Sequence, residues 1–209
     1  MQTSKITLLI VILIGLSSQL FAQQKRDIFD PKIKMTWLGL DFTEAKIIGD
    51  AEKFQSESDT RKLIMAWNNL MINEAEKFDV GKALQRAPLP QAIPITIAHN
   101  EQLNIAGMME NTGLLHLTKE DVSRIVASYD FGSQSGLGVI FIVETFSKLD
   151  LQGLVWVTFI NMDSKEVLLT DRYTGKPGGF GLRNYWAGCI YNILKQVKTN
   201  YEKAKKKYQ

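Results

Sequence analysis

Three apolar runs in the second half of the chain set its architecture. Gly138 to Phe146, Leu154 to Met162 and Val167 to Tyr173 have the length and the β-branched and aromatic content of strands. Along the second run, Trp156 and Ile160 fall on one side, Val155, Val157 and Phe159 on the other. Both sides are apolar, so this strand is expected to be central in a sheet covered on both faces. Asp163-Ser164-Lys165-Glu166 reads as the hairpin turn into the third strand. Upstream, Met35 to Phe42 alternates loosely and suits a strand, which Thr43 to Ile48 extends or follows with a second.

Helical spacing takes over elsewhere. Ser56 to Asp59 is a helix-start signal, and Leu63, Trp67, Leu70, Met71 and Phe78 place an amphipathic helix over 60–78. Pro88, Pro90 and Pro94 exclude a helix between 87 and 94, and Ile95-Thr96-Ile97 reads as a short strand. Thr118 is placed as the N-cap of a second helix, with Asp121 in its first turn and Val122, Ile125, Val126 and Tyr129 as its apolar face. Arg183 to about Lys206 is a long terminal helix, striped by Trp186, Cys189, Ile190, Ile193, Leu194 and Val197. The order predicts one α/β domain over 35–200, with helices packed on a mixed sheet and a late strand, hairpin and C-terminal helix.

The first residues change the expected setting. Lys5, the apolar run Ile6 to Leu16 and the polar step after Ala22 have the three parts of a secretory signal peptide, expected over 1–22. The apolar run is too short to cross ~30 Å of hydrocarbon comfortably. No Cys follows it, so the product is expected to be periplasmic or secreted and free of a lipid anchor. Residues 23–34 read as an extended leader and 201–209 as a lysine-rich tail, whose charges suit a helix end. Without the signal peptide 187 residues remain (209 − 22), and loss of Lys5 takes the net charge from +3 to +2. That balance argues against nucleic acid as a partner, and no second long apolar segment suggests a membrane span. Cys189 is the only cysteine, so the fold rests on packing and not on an internal disulfide.

Candidate chemistry is sparse. His99 and His116 lack neighbours at metal-ligand spacing, so neither a metal nor a cofactor is expected. No G-x-S-x-G elbow occurs; Ser133 to Gly138 comes nearest, with the wrong spacing. Glu144 and Asp150, near strand ends, leave a paired-carboxylate hydrolase open as an alternative. The most unusual stretch is Gly175 to Asn184, GKPGGFGLRN, between a strand and a helix. Its binding candidates are Lys176, Phe180, Arg183 and Asn184: Phe180 offers a partner contact, and the backbone N–H groups with the two cations offer a small-anion site. The stretch has neither Walker nor dinucleotide-loop spacing.

The late order, Gly136 to Glu144, then Leu154 to Asp163, then Ser164 to Leu169 and a closing helix, resembles the small α/β domain of the TolB amino-terminal region, the curli secretion-channel protein and the lipoprotein activators of penicillin-binding proteins. The likeness spans roughly 35–200 as an order of elements and 136–195 as apolar patterning. Ser164-Lys165-Glu166 stands where that group usually has Thr-Gly-Glu. The resemblance implies a non-catalytic periplasmic domain that binds an envelope protein or assists envelope assembly, with no particular partner carried over.

Overall fold

The computed structural model describes residues 24–49, 51–54, 56–110 and 116–208. The signal peptide expected over 1–22 lies outside the described residues. Among the described residues six strands form one mixed sheet: β1 (Met35–Asp41), β2 (Lys46–Ile48), β3 (Met109–Glu110), β4 (Leu137–Ser147), β5 (Gln152–Asn161) and β6 (Glu166–Gly175). Among the described residues they are accompanied by the helices α1 (Glu57–Asn73), α2 (Val80–Ala83), α3 (Ile93–Asn100), α4 (Lys119–Ala127) and α5 (Leu182–Tyr208), with one further helical turn at 24–27. The α/β class read from the pattern is the class observed.

Strand β4 organises the sheet. Strands β4, β5 and β6 run antiparallel in sequence order. On the other edge of β4, β1 and β2 lie end to end, both parallel to it: β1 pairs with Leu137 to Ile142 and β2 with Thr145 to Ser147. Strand β3 then pairs with β2. Strand β5, expected to be central, is an interior strand between β4 and the edge strand β6, and it carries the predicted two-faced pattern. Val155, Val157 and Phe159 join the larger core with α1, α2 and α5, whereas Trp156 and Ile160 join the smaller one with Val122, Ile125 and Val126 of α4. Alternation of period two fixes this partition, since a slip of one residue would exchange the faces.

Local chemistry sets the helix ends. Ser56 accepts from the Asp59 N–H to start α1. Thr118 and Asp121 form a reciprocal capping box on α4: the Thr118 N–H donates to Asp121 at 2.9 Å and the Asp121 N–H to the Thr118 hydroxyl at 3.2 Å. Residues 95–97, expected to be extended, lie instead within α3. Pro94 falls in the first turn, where a missing N–H costs nothing. The extended piece is displaced upstream: the Trp37 N–H donates to Pro90 O and the Ala92 N–H to Trp37 O, each at 2.8 Å.

The flanking segments belong to the fold. Residues 24–27 are helical and not extended. Ile28 and Phe29 are buried in the larger core, and the Tyr201 hydroxyl donates to Ile28 O at 2.7 Å. Helix α5 continues through the lysine-rich tail to Tyr208, which stacks on Phe29. Near its start, Trp186 stacks on Phe146, Phe146 meets Trp67 edge-on, and Trp67 stacks on Phe42. Such aromatic pairs each contribute about 0.5–1.5 kcal/mol beyond burial. This group ties α5, β4, α1 and the exit of β1 together. Along the outer strand, Gln196 and Asn192 of α5 donate to Thr174 O and Lys176 O at 2.7 and 2.8 Å.

Candidate functional site

Three places gather polar or exposed side chains. The first is built at the end of β1. Its register against β4 shifts between Trp37 and Leu40, where Gly39 takes φ +103°, a conformation that strains other residues. Two buried asparagines complete the interrupted backbone pairing. Asn68 of α1 accepts from the Leu40 N–H and donates to Leu40 O, both at 2.8 Å. Asn100 of α3 accepts from the Phe42 N–H at 2.8 Å and donates to Leu40 O at 2.9 Å. The residue between these clamps is Asp41, fully buried.

The Asp41 carboxylate accepts from four donors. Thr43 supplies its N–H at 2.9 Å and its hydroxyl at 2.6 Å to Oδ1. Oδ2 takes a short hydrogen bond from the Tyr129 hydroxyl and meets His99 Nδ1 at 3.0 Å. Burial first, then the charge of Asp41 and its hydrogen bond, push the Tyr129 hydroxyl well above the ordinary tyrosine range. It therefore stays a donor. The other ring nitrogen of His99, Nε2, lies 3.1 Å from the hydroxyl oxygen of Ser128, which is exposed at the C-terminal end of α4. His99 also stacks on Tyr129, with centroids 3.9 Å apart. Three elements thus converge on a chain running Asp41, His99, Ser128.

The second place is Glu144 on β4, buried on the α4 side of the sheet. Arg172 of β6 grips it through Nε at 2.7 Å to Oε2 and through a short Nη2 contact to Oε1. Trp156 Nε1 donates to Oε2 at 2.8 Å, and His116 Nδ1 sits 2.9 Å from Oε1. A cavity of ≈300 Å³ reaches this group, lined also by Glu44, Lys46 and Arg124. Glu144 and Asp150 form no pair: the Asp150 carboxylate instead accepts from Ser147 in the β4–β5 turn at 2.7 Å. His99 and His116 belong to separate groups. Among the described residues no cluster of three His, Cys, Asp or Glu side chains could hold a metal. Burial pushes the Cys189 thiol up to about 12, so the thiolate needed for nucleophilic chemistry is suppressed.

The third place is the loop singled out in the sequence. The glycines let it lie flat on α5. A side chain at Gly188 would strike the backbone of Gly178, and one at Gly175 the backbone of Cys189. The Gly178 N–H donates to Tyr185 O at 2.9 Å, and Trp67 Nε1 donates to Arg183 O at 2.9 Å. The backbone is therefore pinned on both sides of the tip, where Phe180 is 97% exposed. Lys176 and Arg183 are exposed beside it, and Asn184 is half-buried, accepting from Arg183 Nε at 3.2 Å. The β4–β5 turn is at the same end: Gly153 pairs with Gly175, and Lys148 Nζ lies 4.1 Å from the Tyr185 ring centroid. Leu149 and Leu151 of that turn are 63% and 51% exposed.

Sequence reasoning reached this third place but missed the first. Asp41 ends an apolar strand and precedes Phe-Thr, a local turn signal, but its partners come from 58 and 88 positions away. The chain matches no protein-family model and no curated protein.

Proposed function

We propose that the chain is an exported binding or envelope-assembly module that docks a protein partner through the end of the sheet carrying Phe180, Leu149 and Leu151. Recognition, not turnover, is the role read for this end. The observation that carries the reading is a nearly fully exposed Phe180 on a backbone fixed by packing against α5. An aromatic on a pre-ordered loop loses little conformational freedom on binding, and aromatic and Arg side chains are the usual energetic anchors of interfaces. Leu149 and Leu151 widen the apolar surface, and Lys176 and Arg183 supply a cationic rim. The resemblance in element order to envelope domains and the signal peptide read in the sequence support the setting.

The test is capture of partners from envelope extract by the wild-type chain, Phe180→Ala and Arg183→Ala. Phe180→Ala is expected to lose the captured proteins and to melt within a few degrees of the wild type. Arg183→Ala is expected to weaken capture. An unchanged set of proteins in both variants overturns the reading.

A further inference from the structure

The geometry points to Ser128 as an activated nucleophile, and we propose that it accepts an acyl group from apolar esters, with His99 as its base and Asp41 as the positioning residue. This adds a chemical role at a site separate from the docking end and stands independently of the docking reading.

A serine hydroxyl is a poor nucleophile unless a base takes its proton as it attacks, and the base works only in the right tautomer. The hydrogen-bond network assigns that tautomer. As a carboxylate, Asp41 can only accept, so the 3.0 Å contact to His99 requires the proton on Nδ1. Nε2 then presents a lone pair towards Ser128 Oγ at 3.1 Å. The hydroxyl has a second acceptor, Ile125 O at 2.7 Å, so its proton rests on the helix in one orientation and points at His99 in the other.

Three features hold the base in place. Asp41 is clamped between the Asn68 and Asn100 bridges, His99 is stacked on Tyr129, and the Tyr129 hydroxyl occupies Asp41 Oδ2 beside the imidazole. A buried acid, a buried imidazole and an exposed hydroxyl form the order that nucleophile activation needs. Asp41 is also the last residue of a parallel strand, the end at which open α/β sheets place their sites.

The substrate class follows from the neighbouring surface. A cavity of ≈590 Å³ lies next to the site without including His99 or Ser128: it is lined by Ala98, the chain neighbour of His99, and by Asp130, two residues past Ser128, with apolar Ile95 and Phe131 and polar Gln91 and Gln134. The apolar part of that lining, Pro94, Ile95 and Phe131, suits an apolar acyl group that extends from Ser128. In the reaction, Ser128 Oγ forms a bond to the ester carbonyl carbon while its proton passes to His99 Nε2. The carbon–oxygen bond to the alcohol breaks, and the alcohol leaves with the proton from Nε2. Water then cleaves the acyl–Ser128 ester by the same exchange, releasing the acid.

The experiment uses an alkyl fluorophosphonate, with labelled residues identified by peptide mass spectrometry. Attack by Ser128 forms an O–P bond and expels fluoride, and His99 takes the proton. Ser123 is the internal reference: it is exposed on the same helix and donates to Lys119 O at 2.9 Å, with no histidine partner among the described residues. The wild-type chain is expected to label at Ser128 at least tenfold faster than at Ser123, and p-nitrophenyl butyrate hydrolysis is expected to vanish in Ser128→Ala. Asp41→Asn is expected to reduce labelling at least tenfold and to move the imidazole proton, seen in ¹⁵N NMR shifts of His99. Equal labelling of Ser128 and Ser123 in the wild-type chain overturns the proposal, whatever the variants do. Full labelling in a folded Asp41→Asn chain overturns the part given to Asp41.

Discussion

Asp41 and Glu144 are two buried carboxylates on one sheet, satisfied in opposite ways. Glu144 is met by a guanidinium that spans both its oxygens, together with an indole N–H and an imidazole. Its charge is cancelled where it sits. Among the described residues Asp41 has no Arg or Lys hydrogen-bond partner; two hydroxyls, a backbone N–H and His99 surround it. Its carboxylate is therefore linked through the His99 ring to an exposed hydroxyl. The contrast teaches that burial of an acid is not by itself a functional sign. What matters is whether its partners end at a neutralising cation or continue through a hydrogen-bonded ring to the surface.

Substitutions can break this contrast, and the largest effect is expected at the closed pair. Arg172→Ala leaves Glu144 buried without its cation, and loss of one partner of such a pair costs about 3–5 kcal/mol. Urea denaturation is expected to show a fall of that size; a change below about 1 kcal/mol would mean that water already shares the Glu144 site. Tyr129→Phe removes one donor from Asp41 and keeps the ring stacked on His99. A hydrogen bond to a charged group is worth about 1.5–3 kcal/mol, so a smaller loss is expected in the same measurement.

The smallest effect is expected from acid titration of α4, which presents Ser128 and Tyr129 just beyond its C-terminal end. The Thr118 N–H, then the Thr118 hydroxyl, then Arg124 hold Asp121 down at about 2, below the ordinary aspartate value of 3.8. A depressed carboxylate contributes stability above its unfolded value and loses it as the pH falls through the folded one. Hydrogen exchange at the first-turn amides of α4 is therefore expected to accelerate as the pH falls from 3.8 through about 2, after correction for intrinsic exchange. Flat protection across that window would show that packing, not the capping box, holds the helix start.

The legible and illegible parts of the molecule differ in range. Strands β4 to β6 were readable because each is a long apolar run joined to the next by a short turn, and the two faces of β5 follow from alternation alone. The start of α4 was readable because Thr118 and Asp121 are three residues apart. Residues 95–97 misled because Ile-Thr-Ile has strand composition, while Pro94 fits the first turn of a helix. Lys176, Phe180 and Arg183 could be named from the unusual glycine spacing, but the pinning of their loop depends on contacts with α5 and Trp67. The Asp41 group was out of reach. Asp41, His99 and Ser128 sit in three elements with no sequence spacing in common, and only the exit of β1 between Asn68 and Asn100 brings them together.

Strand β6 leaves one long edge of the sheet open, and an open edge is a template on which a second chain can add a strand. Here the template is spoiled at one end. Side-chain amides of α5 already occupy the carbonyls of Thr174 and Lys176, and Asp171 adds an exposed charge to the strand. The terminal helix, by docking its amides on that edge, resists fibre-like growth as the sheet forms.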